Sequence, residues 1–376
     1  MKSIFKCITP LLCLSLLCGC SGGSIYSNYR EIEQLMTVQT MGFDRSPTGY
    51  RVSVSTGGNS KPARLAAEAD SISAAERKMQ DYSAAEEIFY SHVSYVVLGE
   101  AAAREGIEHY LDFVERASQL RMDTPLFVVT GDDASKLVLG SGNEEYDATN
   151  VLKSLERNLE LRGDCRVFSA RDVVADAERN GTALICAVRC VKADEALYGA
   201  EDALTALPDG YAVIKNGKMI AHIPYTGAMG VSLLQNKIGP CRLTAKTEKG
   251  NAAVQLEKCE TALEPVFDGG KLCRLRVDIK IKAALAEGGG ADIGEIESVV
   301  KNDFTTRVTN VLELSKRLAC DFMQLGSILE AAKPIAMAGM GEDFQNLLPD
   351  IGFDLSLSVD IERSFDSDVE VPRERI

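Results

Sequence analysis

Along KLCRLRVDIKIKAALAE, residues 271–287, Cys273, Leu275, Val277, Ile279, Ile281 and Ala283 alternate with Arg274, Arg276, Asp278, Lys280 and Lys282. A two-residue period with one apolar side predicts a strand that is dry on one face and wet on the other. FDLSLSVDIER, residues 353–363, repeats the pattern with Phe353, Leu355, Leu357, Val359 and Ile361 turned inward. Between them, residues 293 to about 330 change period: Ile296, Val300, Phe304, Val308, Val311, Leu312 and Leu318 form one stripe at helical spacing. The expectation is an antiparallel sheet covered by a long helix.

The first half alternates more rapidly between the two periods. YRVSVST (50–56), HVSYVVLG (92–99), PLFVVTG (125–131) and TALICAVRCV (182–191) read as strands. Residues 62–90, which open PARLAAEAD, read as a helical stretch, as do 100–119, 148–163 and 171–181. DDASKLVL, residues 132–139, reads as a short helix with Asp132 placed to cap it. GYAVIKNGKMIAHIP, residues 210–224, is two strand runs around Asn216-Gly217, the dipeptide of a tight hairpin turn. The acidic stretch before it suggests a boundary. The fold class expected is α+β, a multi-domain mixed α/β chain, with residues 30–205 as the N-terminal α/β part and 206–376 as the C-terminal α+β domain.

The chain begins differently. Lys2 and Lys6, with no acid, precede an apolar run, and Leu17-Cys18-Gly19-Cys20 closes it before Ser-Gly-Gly-Ser. That order is a secretory signal rather than a spanning helix, because the apolar part is shorter than the ~20 residues a bilayer needs. LCGC resembles a bacterial lipobox, whose closing cysteine receives a diacylglycerol and becomes the mature N-terminus. This resemblance makes residues 1–19 a lipoprotein signal peptide, Cys20 the lipid attachment site and residues 20–29 a short tether. An ordinary signal cleaved near Gly22 is the alternative.

Charge and cysteine content narrow the partners. With 41 basic and 55 acidic residues the net charge is −14, and the signal removes two lysines and no acid. Nucleic acid and anionic lipid surfaces are poor matches for the chain as a whole. Beyond Cys20 seven cysteines remain: Cys165, Cys186, Cys190, Cys241, Cys259, Cys273 and Cys320. Their apolar settings suit small buried hydrophobes better than a metal cluster. Cys186 and Cys190 on one strand would lie about 13 Å apart, too far for a bridge.

No catalytic spacing is present: no Gly-x-Ser-x-Gly elbow, no His-Glu-x-x-His and no phosphate loop ending in Gly-Lys-Ser/Thr. His92, His109 and His222 stand far apart, and the paired acids Glu86-Glu87 and Asp132-Asp133 suit solvated faces or caps in so acidic a chain. Neither a catalytic residue, a cofactor nor a metal is expected.

The order of segments carries a resemblance that no one segment does alone. The lipobox, REIEQLMTVQTMGFD with YRVSVS, SHVSYVVLGEAAAREGIEHYLDFVERASQLRMDTPLFVVTGDDASKLV, GYAVIKNGKMIAHIPYTGAMGVSLLQNKI, EIESVVKNDFTTRVTNVLELSKRLACDF and LSLSVDIER together resemble the Ger(x)C lipoproteins, C subunits of spore germinant receptors. The resemblance implies several α/β domains and a non-enzymatic subunit held by its N-terminal lipid on the outer face of the inner spore membrane or cell membrane. It implies receptor A and B subunits as partners. The absence of tryptophan departs from the family pattern. A lipid-anchored extracellular solute-binding protein is the competing expectation, but such a protein calls for aromatic residues lining a cleft, and aromatics make up 6% of the chain.

Overall fold

The computed structural model describes residues 34–57, 63–84, 87–140, 147–163, 165–192, 204–287, 290–338 and 343–362. Its strands are β1 (Leu35–Thr37), β2 (Thr40–Ser46), β3 (Gly49–Ser55), β4 (Arg64–Ala69), β5 (Glu87–Phe89), β6 (Tyr95–Gly99), β7 (Pro125–Val129), β8 (Phe168–Ser169), β9 (Thr182–Lys192), β10 (Leu204–Lys215), β11 (Lys218–Ile223), β12 (Arg242–Thr247), β13 (Gly250–Asp268), β14 (Lys271–Glu287) and β15 (Gly352–Glu362). The helices are α1 (Ile72–Tyr82), α2 (Glu100–Glu105), α3 (Glu108–Arg116), α4 (Ala134–Val138), α5 (Ala148–Arg162), α6 (Ala170–Asn180), α7 (Tyr225–Leu234), α8 (Ile293–Leu318), α9 (Leu325–Ala332), α10 (Pro334–Ala338) and α11 (Phe344–Leu347). The class is α+β.

A nine-stranded sheet in the order β11-β10-β9-β7-β6-β2-β3-β4, with β8 beside β7, organises the first part. Its centre is parallel, β2 to β6, β6 to β7 and β7 to β9. That is why Tyr95–Gly99 is buried at every position and reads as an unbroken apolar run: parallel central strands are covered on both faces. Antiparallel meanders flank the centre, β2-β3-β4 on one side and β9-β10-β11 on the other. The last turn is the expected hairpin, with Asn216 and Gly217 both at positive φ, 49° and 72°. β10 pairs along its length with β9, so the sheet runs without interruption past residues 205 and 206.

Three local expectations change. Residues 62–90 are not one helix: β4 pairs with β3, helix α1 starts only after Ser71, whose side chain accepts from Ala74 N, and β5 follows. Alanine-rich composition favours a helix locally, but pairing with β3 prevails and turns Ala67 into the core. Residues 100–119 break into α2 and α3 at Gly106, φ 155°. The cap of α4 is not Asp132, which pairs with Lys136 instead.

The second sheet, β12-β13-β14-β15, is antiparallel except at its last pair. β15 runs parallel to β14, against the all-antiparallel expectation, because the chain returns through the α8–α11 crossover instead of a tight turn. Helix α8 starts at Asp292, whose carboxylate accepts from Gly294 N. It packs against both outer strands, β12 and β15, and against α7, and so crosses the inner face of the sheet. Ile296, Val300, Phe304, Val308, Val311 and Leu312 are buried as the stripe predicts, while Leu318 is only partly covered. On β14, Leu275, Val277, Ile279, Ile281 and Ala283 are buried, but Cys273 is exposed. A register shift between Val266 and Phe267 puts Leu272 into the core in its place.

Candidate functional site

In open α/β sheets ligands lodge beyond the carboxyl ends of the parallel strands. Here those ends carry Asp44 on β2, Glu100 after β6 and Thr130 to Asp133 after β7, and they are occupied by one another. Asp44 is buried and its carboxylate accepts from Ala134 N at 2.6 Å and Ser135 N at 2.8 Å, capping α4 from across the sheet. Burial pushes its pKa up while the two N–H groups pull it back. A side chain at Gly99 would overlap this carboxylate. Glu100 accepts from Gly131 N at 2.6 Å and pairs with Arg104. Burial alone would raise Glu100, but these two donors hold it below its ordinary value. Thr130 Oγ1 donates to Asp209 Oδ2 at 2.5 Å, and His222 Nε2 donates to the Asp209 carbonyl at 2.6 Å. Arg51 joins Glu68 to Asp133. The network clamps loops together, and its polar groups are spent on that task.

An open cleft of about 570 Å³ lies elsewhere, between the start of α1, helix α3 and residues 117–120. Tyr50, Ile72, Phe113 and Leu120 supply its apolar surface, and Glu76 and Tyr90 its polar floor. The Asp112 and Arg116 side chains on its wall pair at 2.7 Å. A smaller pocket of about 260 Å³ shares Tyr50 and His109, whose rings meet edge to face. The Arg45 guanidinium lies over the Tyr50 ring there, 4.6 Å from its centre, and pairs with Glu105.

A third polar cluster joins β9 to the segment between α8 and α9. Thr182 Oγ1 donates to the Asp321 carbonyl at 2.9 Å, and Gln324 Nε2 to the Thr182 carbonyl at 2.9 Å. The Asp321 carboxylate is buried and accepts from Leu325 N and Gly326 N, both at 2.8 Å.

Cys20 lies outside the described residues, with the signal segment 1–19 and the tether 20–29. The three histidines remain apart, His92 against the Phe89 ring, His109 against Tyr50 and His222 against Asp209. All seven cysteines beyond Cys20 are free thiols, and Cys186 and Cys190 share β9 without bridging. Burial pushes the Cys190 and Cys320 thiols up to about 12, so both stay protonated at neutral pH. Among the described residues no group of three or more His, Cys, Asp or Glu is arranged to hold a metal, and no helix is long and apolar enough to cross a membrane. The strand-end network, the cleft and Asp321 carry no sequence motif. Each depends on residues brought together from distant segments.

Comparison with known proteins places this architecture. Residues 28–189 match the spore germination protein N-terminal domain, and residues 209–365 match the spore germination B3/GerAC-like C-terminal domain. The chain belongs to the GerAC-like, or Ger(x)C, family. The putative spore germination protein YfkR of Bacillus subtilis (strain 168) is 23% identical over 304 residues, which cover 76% of this chain and 75% of that protein. The crystal structure of the GerBC protein shares the fold, with a TM-score of 0.57 and 15% identity over 85% of this chain and 96% of that one. The family is that of germinant receptor C subunits, and the process it serves is spore germination.

Proposed function

We propose that the protein is a non-enzymatic C subunit of a nutrient germinant receptor, anchored by a lipid on Cys20 and acting through contacts with the receptor's A and B subunits. The observation that carries this reading is that both family domains match in order, one on each half of the chain. The LCGC boundary supports the anchor, and two acyl chains hold a domain on a membrane without a spanning helix. Fully extended, the residues between Cys20 and β1 reach at most about 50 Å. So short a tether keeps both sheets near the membrane surface and raises the local concentration of a weakly binding domain to about millimolar. The closed network at the strand ends suits a contact role, since its polar groups serve the chain itself.

The test is nutrient germination of spores carrying Cys20→Ala, with recovery of membrane proteins on the tagged chain. Impaired germination and loss of co-purifying membrane subunits are expected. Normal germination, with no membrane protein recovered on the wild-type chain, favours the solute-binding reading instead.

A further inference from the structure

The cleft beside α1 contains polar groups that the fold leaves unused. Tyr90 is 6% exposed, and its phenolic oxygen is buried without a hydrogen-bond partner. A buried hydroxyl in that state costs free energy that a ligand can return. Its backbone N–H is satisfied by Gln119 Oε1 at 2.8 Å, which holds the residue in place. Glu76 is half-buried on α1 and lines the same cleft. Among the described residues it has neither an ion pair nor a hydrogen bond. Burial raises the Glu76 carboxyl, with no charged neighbour to offset it, and the nearby Glu76 charge adds to burial in raising the Tyr90 phenol.

We propose that this cleft binds a small organic molecule bearing a primary ammonium group, received by the Glu76 carboxylate and the Tyr90 hydroxyl, with its apolar body against Ile72, Phe113 and Leu120. The charge balance selects the sign of the ligand. Asp112 and Arg116 neutralise each other, so Glu76 leaves the cleft negative in a chain that is itself at −14. Such a field attracts cations and repels anions. An ammonium offers three donors, matching one carboxylate and one unpartnered phenolic oxygen, and aromatic surfaces favour a cation at close range. A bare metal ion is a poor match, because a single free carboxylate supplies too few oxygen ligands. At about 570 Å³ the cleft is within the size range of small-molecule sites.

The inference is tested by titrating the detergent-solubilised full chain with phenethylamine and with two analogues of like shape, phenethyl alcohol and 3-phenylpropionate. The difference between wild type and Glu76→Gln cancels partition into detergent. Binding of the amine at about millimolar strength or tighter is expected, with both analogues weaker by roughly tenfold or more, the scale of one charge-assisted hydrogen bond. Glu76→Gln should lose the amine preference, and Tyr90→Phe should bind severalfold more weakly. Tyr90→Phe removes an unsatisfied hydroxyl and Glu76→Gln removes a half-buried charge that burial disfavours, so folding should survive, and thermal unfolding of the variants checks this. Equal binding of amine and alcohol, or an unchanged amine affinity in folded Glu76→Gln, overturns the proposal. If no amine binds while Glu76→Gln reduces recovery of a co-purifying protein, a partner's lysine meets this carboxylate and the small-molecule site is likewise overturned.

Discussion

Lys215, at the end of β10 in the nine-stranded sheet, donates from Nζ to the Ala319 carbonyl at 2.7 Å and the Leu318 carbonyl at 3.1 Å. One lysine of the first sheet thereby caps the carboxyl end of α8, the helix that covers the second. The last carbonyls of a helix lack intrahelical donors and carry the negative end of its dipole, so a cation there is doubly favoured. Together with the Thr182 and Gln324 bonds, this contact makes the junction a specific polar seam.

Lys215→Met keeps the apolar stem and removes the charge. It should lower stability by about 1–2 kcal/mol in urea unfolding. A change within about 0.5 kcal/mol, the range of an ordinary surface substitution, would mean that water caps α8 equally well.

Ile279 is 1% exposed on β14 under the α8 crossover, whereas Cys273, six residues earlier on the same strand, is exposed. Ile279→Ala should cost about 2–5 kcal/mol, the range for truncating a core aliphatic. Cys273→Ser should stay within about 0.5 kcal/mol. Equilibrium unfolding of both variants distinguishes a buried inner face from a surface strand, and equal effects would contradict the register shift that turns Cys273 outward.

This contrast shows what the pattern of residues could and could not convey. The α8 stripe and the alternation in β14 were legible because each buries one continuous face, and periodicity reports faces. The direction of β15 was not, because the same alternation serves parallel and antiparallel pairs and only the helical crossover decides between them. β4 was hidden by alanine-rich composition, and its strand state comes from β3. Asp44 capping α4 joins positions 90 and 91 residues apart, and Glu76 and Tyr90 meet only when α1 and the end of β5 converge, so neither pairing leaves a local signature. The Ger(x)C resemblance supplied the family through segment order, which no single site would have given.

Asp321 makes stability depend on pH. Burial pushes its pKa up to about 7 despite the Leu325 and Gly326 N–H groups, with Asp343 and Asp176 adding to the rise. In the unfolded chain the carboxyl returns towards its ordinary value of 3.8. Between those values the folded protein holds a proton that the unfolded one has released. The stabilisation is therefore complete below about pH 4 and is lost as pH rises through about 7. Asp44, Glu76 and Asp176 are raised in the same sense, so the decisive measurement is comparative. The melting temperature of wild type should fall across this window more steeply than that of Asp321→Asn, and parallel curves would remove Asp321 from the account.

The anchor is tested apart from germination by phase partition. The proposed lipid would sit on one sulfur atom, that of Cys20, after Lys2 and Lys6 and the apolar run that closes at Leu17-Cys18-Gly19-Cys20, and each buried methylene of its chains would contribute about 0.8 kcal/mol. Wild-type protein should therefore enter the detergent phase and Cys20→Ala the aqueous phase. Ile335 is the control that separates lipid from protein surface. It is 92% exposed in α10, yet a lone apolar side chain is ordinary on a protein surface and should not hold a chain in detergent. Ile335→Ser should thus partition like the wild type, and metabolically supplied fatty acid should label it equally while sparing Cys20→Ala. If Cys20→Ala still enters the detergent phase and Ile335→Ser leaves it, membrane association resides in the α9–α10 surface, and the lipid on Cys20 is rejected as the tether.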